Sequence, residues 1–169
     1  SPWYARTTRH LVVRAYQGED FNFAQPHLFD ALFSFDPHGL LPYAPVLLLV
    51  LPGVVVGWRR QRGLVLPALL TFLPFWLLVA AWWDWSFTAG FGNRAFDDMA
   101  PILALPMAAL FASLRHRGLR LLVAAAAAGC CVATTILMFD YWAGSLGPAG
   151  APAGSFPHLL LLPLLHLHF

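Results

Sequence analysis

Hydrophobic residues make up 59% of this 169-residue chain and charged ones 11%, against roughly 25% charged in a soluble domain, so lipid is the solvent expected for much of it. The length leaves room for one domain of a few membrane spans and excludes an ordinary soluble catalytic domain beside them. A formal charge of +2, carried by ten arginines without a lysine, points to no particular partner, and the arginine bias fits a GC-rich genome rather than a mechanism.

Residues 1–39 carry Arg6, Arg9, Arg14, Glu19, Asp20, Asp30 and Asp36, too many charges for a span, and read as an extracytoplasmic segment. Within it, Gln25-Pro26-His27-Leu28-Phe29-Asp30-Ala31-Leu32-Phe33 predicts a short helix with Pro in its first turn. That helix has Leu28, Phe29, Leu32 and Phe33 on one face, suited to lying at the membrane interface. The opening Ser-Pro-Trp-Tyr lacks an initiator Met and the pattern of a signal peptide. It reads like the middle of a protein, so an N-terminally truncated fragment is expected.

Four uncharged runs follow, each near the ~20 residues a helix needs to cross the hydrocarbon. Uncharged over 40–58, 64–83, 99–114 and 121–139, they predict spans at about 40–58, 64–83, 95–114 and 119–139, a four-helix transmembrane region over 40–140. Pro45 suits the first turn of span one, and Pro52-Gly53 predicts a kink in its middle. Six of the ten arginines lie in the two short loops after spans one and three, which hold no acid. The positive-inside rule puts those loops in the cytoplasm. All eight acids, and an aromatic belt of Tyr43, Trp82, Trp83, Trp85, Tyr141 and Trp142, then fall on the opposite side. The fold expected is therefore an all-α polytopic integral membrane protein of about four transmembrane helices with both ends on the outer face. Residues 141–169 form a Gly/Pro/Ala linker and a short apolar tail, too short to span. Cys130 and Cys131 diverge on a helix and read as packing residues, and His166 with His168 makes a poor metal pair without other ligands.

The densest chemistry lies in residues 82–98, where aromatics, glycines, an arginine and three carboxylates crowd between two spans. Asp84 follows span two directly and is either a tuned base or ligand at the outer surface or a charge that ends the helix. Gly90-Phe91-Gly92-Asn93-Arg94 brings permissive backbone beside an arginine whose planar fork suits a phosphate. Alternatively, Arg94 pairs with Asp97 or Asp98 at helical spacing or snorkels to headgroups. His38-Gly39, before span one, offers either proton transfer or a hydrogen bond to a sugar or phosphate, or only a turn. Asp97-Asp98 is better placed to stabilise a helix N-terminus than to bind a divalent cation, so no metal and no cofactor are expected. Nucleophile elbows, Walker loops, zinc motifs and nucleic-acid patches are absent from the sequence, and no nucleic-acid partner is expected.

Phe21-Asn22-Phe23 and Pro26, Leu32-Phe33-Ser34 with His38-Gly39-Leu40, Pro45, then Trp83-Asp84-Trp85-Ser86, Phe91-Gly92-Asn93-Arg94 and Pro101 stand in one order over residues 16–115. Together they resemble the C-terminal half of bacterial polytopic membrane proteins of the GT-C glycosyltransferase type. The resemblance implies a transferase of the cell envelope, in the bacterial inner (cytoplasmic) membrane, moving a sugar from a polyprenyl-phosphate donor at the outer face. It also implies a main acidic base upstream of this chain, so that the fragment alone is inactive and needs its missing N-terminal transmembrane half or a partner subunit. Where the family has Gly-Gly before Ser-Phe-Gly, this chain has Ser86-Phe87-Thr88-Ala89-Gly90, which leaves Arg94 as the phosphate contact carried over, with His38 and Asp84 as weaker substrate-binding or catalytic candidates. A different reading of the same features is a non-catalytic helical subunit or scaffold packing through the small residues 124–129. A transporter fits less well, since the uncharged runs that form the span interiors hold no acidic or basic residue for a coupling ion.

Overall fold

The structure is a computed structural model and describes residues 20–35, 38–87 and 90–144. The expectations for residues 1–19 and for the apolar tail lie outside the described residues. Helix accounts for 76% of what is described, and the only sheet-like pairing there is an isolated antiparallel bridge between Phe21 and Trp82. The fold is therefore all-α. Its elements are α1 (Leu28–Phe33), α2 (Leu40–Tyr43), a 3-10 turn (Pro45–Leu49), α3 (Val50–Arg60), α4 (Arg62–Ala81), a 3-10 segment (Arg94–Met99), α5 (Ala100–Ser113) and α6 (Arg117–Trp142).

Three helical stretches, Arg62–Ala81, Arg94–Ser113 and Arg117–Trp142, are long and apolar enough to cross a membrane. The uncharged run 40–58 is instead divided among α2, the 3-10 turn and α3. The break falls at Ala44 (φ −132°, ψ 63°), because Pro45 drives its predecessor out of the helical region and offers no amide to the turn before it. The kink expected at Pro52-Gly53 does not break the helix. Pro52 occupies the first turn of α3, directly after the 3-10 turn, where its fixed φ fits the helix.

Gly53 serves close approach instead. A Cβ there would run into the Pro106 carbonyl group of α5, and one at Gly57 would lie 2.6 Å from Val65 Cγ2 and 2.9 Å from Ala109 Cβ. Gly53 and Gly57 form a small-xxx-small face, which lets helix backbones meet where lipid supplies no hydrophobic drive for association. The pairing of 53 with 106 and 57 with 109 makes α3 and α5 run in the same direction. α4 returns between them, with Arg62 stacked over the Trp58 ring at 4.8 Å.

At the far end of α4, the amino-terminal segment folds back onto the helix terminus. The Asn22 and His27 amides donate to the Ala81 and Ala80 carbonyls (2.6 and 2.8 Å), and the Trp83 amide donates to the Asp20 carbonyl (3.1 Å). The first two bonds satisfy carbonyls that the end of a helix leaves open. Trp76 Nε1 donates to the Leu28 carbonyl (3.1 Å) and ties α1 to α4. Beneath this seam Leu40, Val79 and Phe96 form a buried cluster with Phe72, Phe75 and Trp76 packed around it. At the opposite end of α5, Arg120 Nη2 donates to the Leu114 carbonyl (2.8 Å) and closes the turn into α6. The arginine-rich turns and the aromatic, acidic loops thus occupy opposite ends of the bundle.

α6 differs from the rest. Only Leu137 and Asp140 of its residues are buried, and it touches the body chiefly along the 3-10 turn Pro45–Leu49. A helix apolar all round with so little protein against it is suited to lipid.

Candidate functional site

The loop after α4 is shaped by two residues in the left-handed region, Phe87 (φ 48°) and Gly92 (φ 62°). A side chain costs about 1–2 kcal/mol in that region, and a Cβ on Gly92 would also sit 3.1 Å from Tyr43 Cβ. This close approach turns Phe91 between two rings, Tyr43 (5.5 Å) and Tyr141 (6.0 Å). Phe91 thereby links α2, the loop and the end of α6.

A cavity of about 570 Å³ opens among these rings. Tyr43, Phe91, Met138, Tyr141 and Trp142 line it with apolar surface, and its polar groups come from Asn93, Arg94, Asp97 and Thr134. Asn93 is buried, and its Nδ2 donates to the Trp85 carbonyl (2.9 Å). A carbonyl can only accept, so this bond fixes which end of the amide is the nitrogen. Asn93 Oδ1 and Thr134 Oγ1 are shielded from solvent, and neither has a hydrogen-bond partner among the described residues. The neighbouring Thr135 behaves differently, its hydroxyl donating to the Cys131 carbonyl one turn back (2.9 Å), as helical threonines usually do.

Arg94 lies on the cavity with an exposed side chain. Gly90 makes room for it, since a Cβ there would lie 3.3 Å from Arg94 Cδ and 4.0 Å from Nε. Among the described residues Arg94 makes no ion pair, with Asp97 and Asp98 each beyond 4.0 Å. The intramolecular pairing open at the sequence level is therefore not formed.

The other two candidates stand off the cavity. His38 is fully buried, with its ring edge-on to Tyr43 at 4.7 Å, and Tyr43 in turn donates its hydroxyl to the Phe35 carbonyl (2.9 Å). His38 is thus one ring behind the lining, in a position to orient Tyr43. Asp84 is half-buried, accepts a long bond from Ser86 Oγ (3.5 Å) and takes the Phe87 amide on its carbonyl (3.2 Å). Its contacts belong to the turn rather than to the cavity. Asp140 is buried near the end of α6, with Oδ2 unpartnered among the described residues. No three His, Cys, Asp or Glu side chains gather into a metal-binding group among the described residues.

Sequence reasoning does not single out Asn93 or Thr134. Asn93 was legible only as part of the glycine-rich loop, and its role comes from the Trp85 carbonyl eight residues away. Thr134 stands in an Ala-rich span, and the signal that would have found it is a hydroxyl on the same helical face as Met138 and Tyr141, at offsets of four and seven. Chemically, the cavity offers a guanidinium for an anion, aromatic faces for apolar or ring surfaces, and oxygens able to accept hydrogen bonds. Comparison of the chain with protein-family models, with curated proteins and with solved structures returned no match.

Proposed function

We propose that this chain is the donor-binding membrane part of a glycosyltransferase that moves a sugar from a polyprenyl-phosphate carrier at the outer face of a bacterial inner membrane. In this reading residues 40–60 make a first crossing in three segments. The helical stretches Arg62–Ala81, Arg94–Ser113 and Arg117–Trp142 make three more, both ends of the four-span bundle are outside, and the arginine turns are cytoplasmic. The observation that carries it is Arg94. An arginine without an ion pair among the described residues, on an aromatic cavity beside a glycine-rich loop, is the arrangement that holds a phosphate through charge-assisted bidentate hydrogen bonds, roughly twice as strong as neutral ones. Tyr43, with His38 packed behind it, forms part of the wall beside the anion, and the acidic base belongs to another part of the protein.

Lysine keeps the charge of Arg94 but loses the planar fork. Arg94→Lys is expected to weaken binding of a polyprenyl-phosphate sugar about tenfold, or roughly 1.4 kcal/mol, with the protein still inserting and folding. Unchanged affinity in nanodiscs would reduce Arg94 to a headgroup anchor.

The uncovered flank of α6 favours one second reading, a helical subunit that packs against a further membrane helix through residues 124–129, where Gly129 meets nothing within 4 Å. Donor binding by the isolated chain separates the two, since a scaffold has no need of it.

A further inference from the structure

Arg94 asks for an anion, but other polar atoms of the same cavity ask for the opposite. Asn93 Oδ1 is an acceptor whose amide orientation is locked by the Nδ2 bond to the Trp85 carbonyl, and it has no donor among the described residues. Asp97, also on the cavity, is a second acceptor when ionised. Thr134 Oγ1 can both donate and accept and has no partner among the described residues. A phosphate supplies only acceptors, so it satisfies Arg94 and leaves Asn93 without a partner. We infer that Asn93 and Thr134 read the hydroxyl groups of a polyhydroxylated headgroup, and that they are what lets the cavity discriminate a glycosylated lipid phosphate from the bare one. This rests on the reading of the cavity as a donor site and assigns its specificity to two residues.

Both oxygens are sealed from solvent, and one wall of the cavity is α6. That helix is held chiefly at the 3-10 turn Pro45–Leu49 and by the Phe91–Tyr141 ring contact, and on this reading a ligand reaches Thr134 and Asn93 where α6 meets the loop. The rings of Tyr141 and Trp142 ride on the same end. They bring aromatic faces to a sugar as the hydroxyls reach the two oxygens. A site built to hydrogen-bond a ligand hydroxyl rejects the analogue lacking it, because its polar groups are otherwise left unpaired.

The test compares two probes in nanodiscs, a polyprenyl phosphate and the same lipid carrying a hexose, on the full chain. Thr134→Val is isosteric and removes only the hydroxyl, on a largely exposed helix where folding is least at risk; Thr134→Ser restores it. Thr134→Val is expected to weaken binding of the hexose-bearing lipid about fivefold or more, to leave the bare phosphate unchanged, and to be rescued to within about twofold by Thr134→Ser. Asn93→Ala, checked for folding by circular dichroism, is expected to show the same selective loss. Equal losses for both lipids, or none for the glycosylated one, overturn the inference while leaving the Arg94 phosphate contact intact. If the wild-type chain binds neither lipid, the donor-site reading fails and the inference with it.

Discussion

Gly53→Ala is a substitution that helix propensity alone would favour, since alanine is better than glycine in a helix by about 1 kcal/mol. The packing reverses the sign. The added Cβ meets the Pro106 carbonyl, with its carbon 2.6 Å away, and a backbone group, unlike a side-chain end, cannot rotate aside. Either α3 withdraws from α5 or both helices bend, a kind of overpacking that costs about 1–3 kcal/mol. Gly129→Ala is the matched control, because a Cβ there meets nothing within 4 Å and only the propensity gain remains. The difference between the two variants cancels the propensity term and isolates the clash, so Gly53→Ala is expected to be about 1–3 kcal/mol less stable than Gly129→Ala. Reversible unfolding in mixed micelles, followed by circular dichroism, measures it. A Gly53→Ala protein as stable as Gly129→Ala would refute the close contact of α3 with α5.

Gly92→Ala forces a Cβ into the left-handed region and against Tyr43, and is expected to cost about 1–2 kcal/mol in the same assay. Gly90→Ala meets only the movable Arg94 side chain and is expected to leave stability within about 0.5 kcal/mol while lowering affinity for a lipid phosphate. Trp76→Phe removes the bond to the Leu28 carbonyl, worth about 0.5–1.5 kcal/mol, and hydrogen exchange at the Ala31 amide is expected to rise. In a background lacking Cys130 and Cys131, Trp83→Cys is expected to react with an impermeant reagent from the outer side and Gln61→Cys to be protected; the reverse pattern would invert the topology.

The helical character of the chain was legible because uncharged runs of span length leave the backbone no partner but itself. Where the first run divides was less legible. Pro45 and Pro52 look alike in sequence, yet Pro45 comes after the helical turn Leu40–Tyr43 and forces Ala44 out of the helical region, whereas Pro52 falls in the first turn of α3, which tolerates it. The Gly53-Val54-Val55-Val56-Gly57 spacing is readable as a packing face, but the partners Pro106 and Ala109 are set by the tertiary fold. At the site, Arg94 stands out in sequence as the one basic residue of the glycine-rich stretch 82–98. His38 and Asp84 stand out equally, and their distance from the cavity follows from Tyr43 and the Ser86 turn, which no local pattern specifies. Thr134 and Asn93 become visible only when α6 meets the loop, forty-one residues apart in the chain.

The most direct measurement is equilibrium binding of a polyprenyl-phosphate hexose to the chain in nanodiscs, set against the corresponding phosphate-free polyprenol. Saturable binding that needs the phosphate and weakens in Arg94→Lys is expected if the cavity holds a lipid-linked sugar. Equal binding of the polyprenol, or no saturable binding of the phosphorylated lipid, would contradict it.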